Sequence, residues 1–471
     1  MKKIIIIGSG IGGLVSGNLL CKKGHKVTIF ESNHIPGGYT SGFWRNGFYF
    51  ESGTFSFENS HDLFKLFKEI GIFEKLSLVR QKIRLIRNDF ELVLDDYQKF
   101  KEKLFQAYPT EQDNLEKFFK ELDGMYFATK GLFCPGESFF SFFKRAWAGI
   151  KFLKFFKKYS NVTTGEFTEK YFKKDSELYN LFANFGYPDM SASFLGGSFV
   201  TVMDDYWTFK DGMQSLADAL SENFQKLGGE LKLKSYVDKI ITKDGKAIGV
   251  SCNGQDYFSD YVICASDYKN ALLNLLDDKN LVPDELQEKI KNAQVSEGMF
   301  TAYLGLNLHN DELKKYLKSH YTISDVTVYS HSLLNPKLAP EGKSSLMIQE
   351  VALTDWAKDL NLKDREQYFK FKEEKKKELI QKASKIIPDL ENHIEFIDVA
   401  TPVTYEKFTH NVHGATSAWS WNPKKKFYEN LLKTHVDTPI KNLFIGSCWA
   451  MQMGGVPGAV SAAKKCVKKI V

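Results

Sequence analysis

Gly8-Ser9-Gly10-Ile11-Gly12-Gly13 follows directly on the apolar run Ile4-Ile5-Ile6-Ile7, and Glu31 closes the next apolar run, Val27-Thr28-Ile29-Phe30. Strand, glycine turn, helix and second strand ending in an acid make up the dinucleotide-binding fingerprint in its full βαβ context. Gly8 allows the tight strand-to-helix turn, Gly10 lets backbone approach a pyrophosphate, and Gly13 lets the helix pack closely on the sheet. The helix predicted from Ile11 to about Lys22 turns its unpaired N–H groups and positive dipole end toward the phosphates. Glu31, about twenty residues on, is placed to accept hydrogen bonds from a ribose with a free 2′-hydroxyl, which favours FAD or NAD over NADP.

Working outward, Pro36-Gly37-Gly38-Tyr39-Thr40 brings a second glycine pair soon after the acid. A second close backbone approach suits FAD, which is long and carries ribityl and isoalloxazine ends, better than NAD. Near the other end, Lys441-Asn442-Leu443-Phe444-Ile445-Gly446 reads as a strand ending in glycine, and Gly454-Gly455-Val456-Pro457-Gly458-Ala459 as the opening of a helix with proline in its first turn. Between these ends, Leu63 to about Tyr206 has helical periodicity. Strands are expected at Glu230–Leu233, Lys239–Thr242, Ala247–Cys252 and Tyr261–Ala265. From Phe300 to Leu308 apolar residues alternate with Thr301, Tyr303 and Asn307, a strand with one apolar and one mixed face; Ser344–Val351 is a further strand, and Lys363–Lys385 a charged helix.

The expected fold class is therefore α/β (α+β overall): a Rossmann-type FAD-binding domain with an inserted substrate domain of mixed sheet and helices. The FAD-binding domain is expected to be discontinuous, over 1–62, 207–275 and 436–471. A helical, Phe-rich insertion takes 63–206 and a substrate-binding domain 276–435.

Among 471 residues, Lys+Arg 64 against Asp+Glu 58 leaves a net charge of +6, too even to argue for nucleic acid. Six scattered cysteines form no zinc or CxxC spacing, no metal site is expected, and free thiols in a reducing compartment are the simpler reading. Ile4–Leu20 lacks charge, but its glycines belong to the βα turn rather than to a signal or membrane span. No other run reaches about 18 apolar residues, so a cytoplasmic protein, or one peripheral to a membrane, is expected.

Phenylalanine is abundant, 39 residues in all. Ser138 to Tyr159 alone carries Phe139, Phe140, Phe142, Phe143, Trp147, Phe152, Phe155 and Phe156 with six basic residues and no acid. This segment is either a core helix with snorkelling lysines or a peripheral membrane contact through residues 138–159.

Taken together, these pieces resemble the FAD-dependent phytoene desaturase, carotenoid isomerase and retinol saturase group of the amine-oxidase-like flavoproteins. The likeness runs through the two ends and through Asp211-Gly212-Met213-Gln214-Ser215-Leu216, Leu338-Ala339-Pro340-Glu341-Gly342-Lys343 and Thr438-Pro439-Ile440. It implies FAD held by Gly8, Gly10, Ile11, Gly12, Gly13, Glu31, Gly37, Gly38, Tyr39 and Thr40, with the Val237 backbone at the adenine. It further implies Gly446-Ser447 along the ribityl chain and Gly455-Val456-Pro457 beneath the isoalloxazine. Two departures stand out: Ser447 where many relatives carry an acid, and Tyr39 where amine-oxidising relatives often carry arginine.

The implied activity is oxidoreduction at CH–CH or C=C bonds of a long apolar isoprenoid, carotenoid, retinoid or lipid, as desaturation, saturation or isomerisation. The alternatives are an amine oxidase and a non-catalytic lipid carrier on the same fold. Flavin chemistry asks the protein to hold a substrate carbon about 3–3.5 Å from the reactive ring atom and to exclude water. No catalytic residue is fixed. Trp419 and Trp421 either wall the flavin cavity with Tyr187 or pack the core, and Glu350 and Asp355 are candidate proton donors. His309, His320, His331, His410 and His413 form no triad. With one dinucleotide fingerprint, a separate electron acceptor or donor is expected.

Overall fold

The computed structural model describes all residues except 88–89, 133–138, 426, 429–432 and 453. Lys3–Ile7 is the central strand of a five-stranded parallel sheet ordered Leu443–Ile445, Tyr261–Cys264, Lys3–Ile7, Lys26–Phe30, Glu230–Lys232. Ile5 pairs with Val262 on one side and Thr28 on the other. All four isoleucines are buried, as a strand covered on both faces requires. The helix Ile11–Lys22 is buried from Ile11 to Cys21, because Gln214–Lys226 and Gly455–Ile470 pack against it as well as the sheet. A helix apolar all round belongs in such an interior.

A second, seven-stranded sheet forms the other lobe, in the order Ile394–Ala400, Gly298–Leu306, Ser344–Ala352, Thr327–Tyr329, Tyr321–Ile323, Ile83–Arg87, Phe90–Leu94. The period-2 reading of its long strand holds. Phe300, Ala302, Leu304 and Leu306 pack on one face with Leu379, Ile380 and Ala383 of the helix Arg365–Ser384. Thr301 and Tyr303 turn to the other face, where the Tyr405 hydroxyl lies 2.6 Å from Thr301 Oγ1.

Two expectations need correction. The stretch 63–206 is not purely helical: Leu78–Arg80 pairs with Trp207–Phe209, and Ile83–Arg87 and Phe90–Leu94 form a hairpin within the seven-stranded sheet. Segments 63–206 and 276–435 thus share one sheet. Gln255–Phe258 also adds a third strand to the antiparallel unit of Val237–Lys243 and Lys246–Cys252.

A buried polar cluster ties the lobes. Glu51, fully buried, accepts from Met213 N–H at 2.9 Å and the Tyr49 hydroxyl at 3.0 Å, with His331 Nδ1 3.1 Å away. His331 Nε2 lies 2.9 Å from the Phe209 carbonyl oxygen. Each of these polar groups therefore has a partner, the condition under which a buried carboxylate is tolerated.

Candidate functional site

The glycine turn at the head of the first helix meets the second glycine pair. Gly37 N–H donates to the Ser9 carbonyl at 3.0 Å, and Gly10 and Gly37 form a bridge. Gly37, at φ 125°, has a conformation that side chains avoid. Thr40 Oγ1 donates to the Gly37 carbonyl at 2.8 Å and closes this turn. A Cβ on Gly12 would strike the Gly446 carbonyl oxygen, and one on Gly13 the Gly8 carbonyl oxygen. On Gly10 it would meet nothing within 4 Å. Open space therefore lies at the helix N-terminus, where Gly10 supplies no side-chain cap and the first-turn N–H groups are free to meet a phosphate.

Glu31 borders that space with one tenth or less of its surface exposed, 6%. Its Oε2 accepts from Ser9 N–H and Ser9 Oγ, both at 2.8 Å, and its Oε1 from Asn33 N–H at 2.9 Å. The Glu31 carbonyl accepts from Ser235 N–H at 2.7 Å, which leads the chain directly into Val237 at the start of the next strand. On the opposite side, Gly446 N–H donates to the Cys264 carbonyl at 2.8 Å. Ser447 Oγ donates to the Ser266 carbonyl at 2.7 Å. The proton of this hydroxyl is thus used within the protein. Val456 and Pro457 open the final helix, which lies along the first. The helices that follow the turns of residues 8–13 and 454–458 thus form one packed pair.

From Gly454–Gly458 a cavity of about 2100 Å³ extends between the lobes. Phe55, Ile83, Leu85, Phe152, Phe185, Tyr187 and Trp421 are among its walls. Tyr187 and Trp421 stack with ring centroids 4.5 Å apart and planes within 5°, and Trp421 Nε1 donates to Ser417 Oγ at 2.8 Å. Tyr39 also lines the cavity, its hydroxyl donating to the Gly414 carbonyl at 3.1 Å. Polar groups are sparse in proportion, which is the usual composition of a pocket for an apolar ligand.

Four acids line this cavity, Glu58, Asp204, Asp205 and Glu297, and the sequence analysis names none of them. Glu58 Oε1 lies 3.7 Å from the position a Cβ on Gly455 would take. Burial, reinforced by the Asp205 carboxylate, pushes its carboxyl up to about 7. Glu297 accepts from Thr416 Oγ1 at 3.0 Å, and burial raises it as well. The only local signal for Glu58 is an acid set in the aromatic alternation Phe55-Ser56-Phe57-Glu58, next to the Glu51-Ser52-Gly53-Thr54 turn.

The other candidates divide. Trp421 and Tyr187 face the cavity, whereas Trp419 is 2% exposed and stacks on Phe427 with centroids 4.0 Å apart, its Nε1 donating to the Trp449 carbonyl. It is a core residue and does not wall the cavity. Glu350 points to the helix face of its strand, bonded to Lys375 at 3.1 Å and to Lys382. Its neighbours Gln349 and Val351 face the cavity instead. Asp355 is solvent-exposed beyond the strand end. Neither acid can serve the cavity.

The sequence pattern of the flavin containing amine oxidoreductase family matches residues 11–471. A 1-hydroxycarotenoid 3,4-desaturase from Flavobacterium sp. (strain P99-3) is 26% identical, over 98% of this chain and 98% of its own. A chloroplastic prolycopene isomerase from Daucus carota is 26% identical, over 86% of this chain and 70% of its own. An oxidoreductase of known structure from Methanosarcina mazei superposes with a TM-score of 0.66 at 16% identity, over 99% of this chain and 100% of its own, a likeness of fold.

Proposed function

This chain belongs to the flavin containing amine oxidoreductase family, and from that premise we propose that it is an FAD-dependent oxidoreductase acting on CH–CH or C=C bonds of a long apolar isoprenoid. The observation that carries the reading is the cavity, large and aromatic-walled, which begins at the Gly454–Gly458 turn. The named activities of the two similar enzymes, one on a carotenoid bond and one on prolycopene, agree with it.

In this reading Gly8, Gly10, Ile11, Gly12 and Gly13 cradle the pyrophosphate, Glu31 holds the adenosine ribose and the Val237 backbone meets the adenine. Gly37, Gly38, Tyr39 and Thr40 shape the next approach, with Gly446, Ser447, Gly455, Val456 and Pro457 alongside the ribityl and ring portions. When bound, FAD supplies the hydride acceptor or donor. The chain's own work is to hold the substrate in near-attack geometry, to keep water out with the Tyr187–Trp421 wall and its aromatic surroundings, and to handle protons. A separate electron acceptor or donor completes the cycle.

We further infer that the helix Phe139–Tyr159 rests on an anionic membrane surface. Phe140, Phe142, Phe143, Trp147, Ile150 and Leu153 are each more than half exposed, between 54% and 80%, which disfavours a core helix. Exposed Lys151 and Lys154 accompany them, while Phe152 and Phe156 line the cavity. A helix with one face in the interfacial layer and another on the cavity offers an apolar ligand a route that avoids water. Ser138, and the side chain of Phe139, lie outside the described residues. Among the described residues no helix is long and apolar enough to cross a membrane.

The test is anaerobic. FAD-loaded protein is mixed in detergent with linear isoprenoids, carotenoids and retinoids and, separately, with a panel of amines, while apolar molecules that co-purify are identified by mass spectrometry. Bleaching, or reoxidation after chemical reduction, by an isoprenoid alone is the expected result. Bleaching by amines alone would move the chain to amine oxidation. Protein that takes up no FAD would leave the lipid-carrier reading.

A further inference from the structure

Resting on the proposed function, we propose that Glu58 is the proton-transfer group of this active site, giving a proton to, or taking one from, the substrate carbon next to the one that meets the flavin. Position is the first argument. Glu58 Oε1 lies 3.7 Å from the Cβ site of Gly455, at the turn where the cavity begins, and the Glu58 side chain lines that cavity. Its backbone is fixed, since the preceding Phe57 exchanges both hydrogen bonds with Trp207, at 2.8 and 2.9 Å, and buries its ring in the core.

The surroundings are the second argument. Asp205 accepts from Ser60 N–H and from Trp207 Nε1, both at 3.0 Å, so its oxygens are committed to structure beside Glu58. Glu58 forms no ion pair among the described residues. Tyr187 feels both Glu58 and Glu297, and Tyr206 feels Glu58. Glu297 is hydrogen-bonded to Thr416, and Lys130, on the same wall, is engaged by Asp204 at 3.0 Å. Of the acids here, Glu58 is the one that combines access to the cavity with freedom from a side-chain partner, its hydrogen bond being to its own backbone, and His61 lines the same cavity. A carboxyl poised near neutrality can act in either direction.

The chemistry balances. In a desaturation the substrate loses two electrons: one hydrogen departs with its bonding pair, for which bound FAD is the acceptor, and the neighbouring hydrogen departs as a proton to the Glu58 carboxylate. The electron pair left in that second C–H bond closes the new double bond. Saturation runs the same transfers backwards. In an isomerisation Glu58 lends a proton to one polyene carbon and recovers it after rotation.

The experiment uses FAD-loaded full-length protein as wild type, Glu58→Gln, Glu58→Asp and Asp205→Asn. Infrared pH-difference spectra without substrate are expected to show a protonated carboxyl that ionises near 7 in wild type, is lost in Glu58→Gln, and ionises lower in Asp205→Asn. Single-turnover flavin bleaching by an isoprenoid should fall about a hundredfold or more in Glu58→Gln. Its pH dependence should vanish there and return in Glu58→Asp. Glu58→Gln with the wild-type rate and pH profile would overturn the proposal, as would a Glu58 band ionising in the ordinary carboxylate range. Should no isoprenoid bleach the oxidised wild type, reoxidise its chemically reduced form or be isomerised by it, the proposed function fails, and the infrared titration alone then decides for or against Glu58.

Discussion

At the scale of single residues, the fingerprint glycines carry different loads and two substitutions separate them. Gly10 has ordinary extended angles, φ −63° and ψ 175°, and space around it. Alanine there should stabilise the apoprotein slightly, by about 0.4–1 kcal/mol through the unfolded chain, yet fill the space a pyrophosphate needs and abolish flavin uptake. Alanine at Gly12 meets the Gly446 carbonyl oxygen and should cost about 1–3 kcal/mol or more, since neither helix nor strand can retreat. Thermal melting of the apoproteins, with flavin content read from absorbance, checks both; equal melting of the two variants would sink the distinction. These glycines and Glu31 are legible in sequence because turn, helix start and acid lie within one βαβ unit. Glu58 is not, because what makes it special is Asp205 and the Gly455 turn, both remote in the chain. Glu350 is expected as a proton donor, but a single step of the pleat sends it to the lysines of the helix Arg365–Ser384 while Gln349 and Val351 face the cavity.

For whole elements, legibility follows how locally each is specified. The strand Gly298–Leu306 and the helix Arg365–Ser384 announce themselves by alternation and by charge. The hairpin Ile83–Arg87 and Phe90–Leu94 does not, because the strand that completes its pairing, Tyr321–Ile323, lies far along the chain. The aromatic helix Phe139–Tyr159 is an intermediate case. Its composition signals an interface, but only the exposure of Trp147 and Ile150, 62% each, separates membrane from core. In flotation with anionic vesicles, Lys151→Glu/Lys154→Glu should bind several-fold less than wild type, with the difference shrinking as salt is raised. Equal recovery of both proteins with the vesicles would remove the membrane contact.

Across the whole molecule, the proposed nucleotide cradle couples cofactor to fold, because the turns it draws on, 8–13, 37–38 and 446–447, sit on separate segments that meet. FAD at a hundredfold over its dissociation constant should add about 2.7 kcal/mol to stability. Melting temperature should therefore rise with FAD concentration in wild type and stay flat in Gly10→Ala. A wild-type melting curve indifferent to FAD would contradict the cradle. Glu51 and His331 tie together segments that lie between the two large sheets, through fully buried partners.

The strand Leu443–Ile445 lies at an edge of the parallel sheet, beside Tyr261–Cys264. A ribosome delivers that strand only after residues 265–442 have followed its neighbour, so the nascent polypeptide carries a bare Tyr261–Cys264 border over more than a third of its synthesis. With the flavin placed as proposed, loading is expected only once translation has passed Gly446, and until then an apolar strand border stays uncovered.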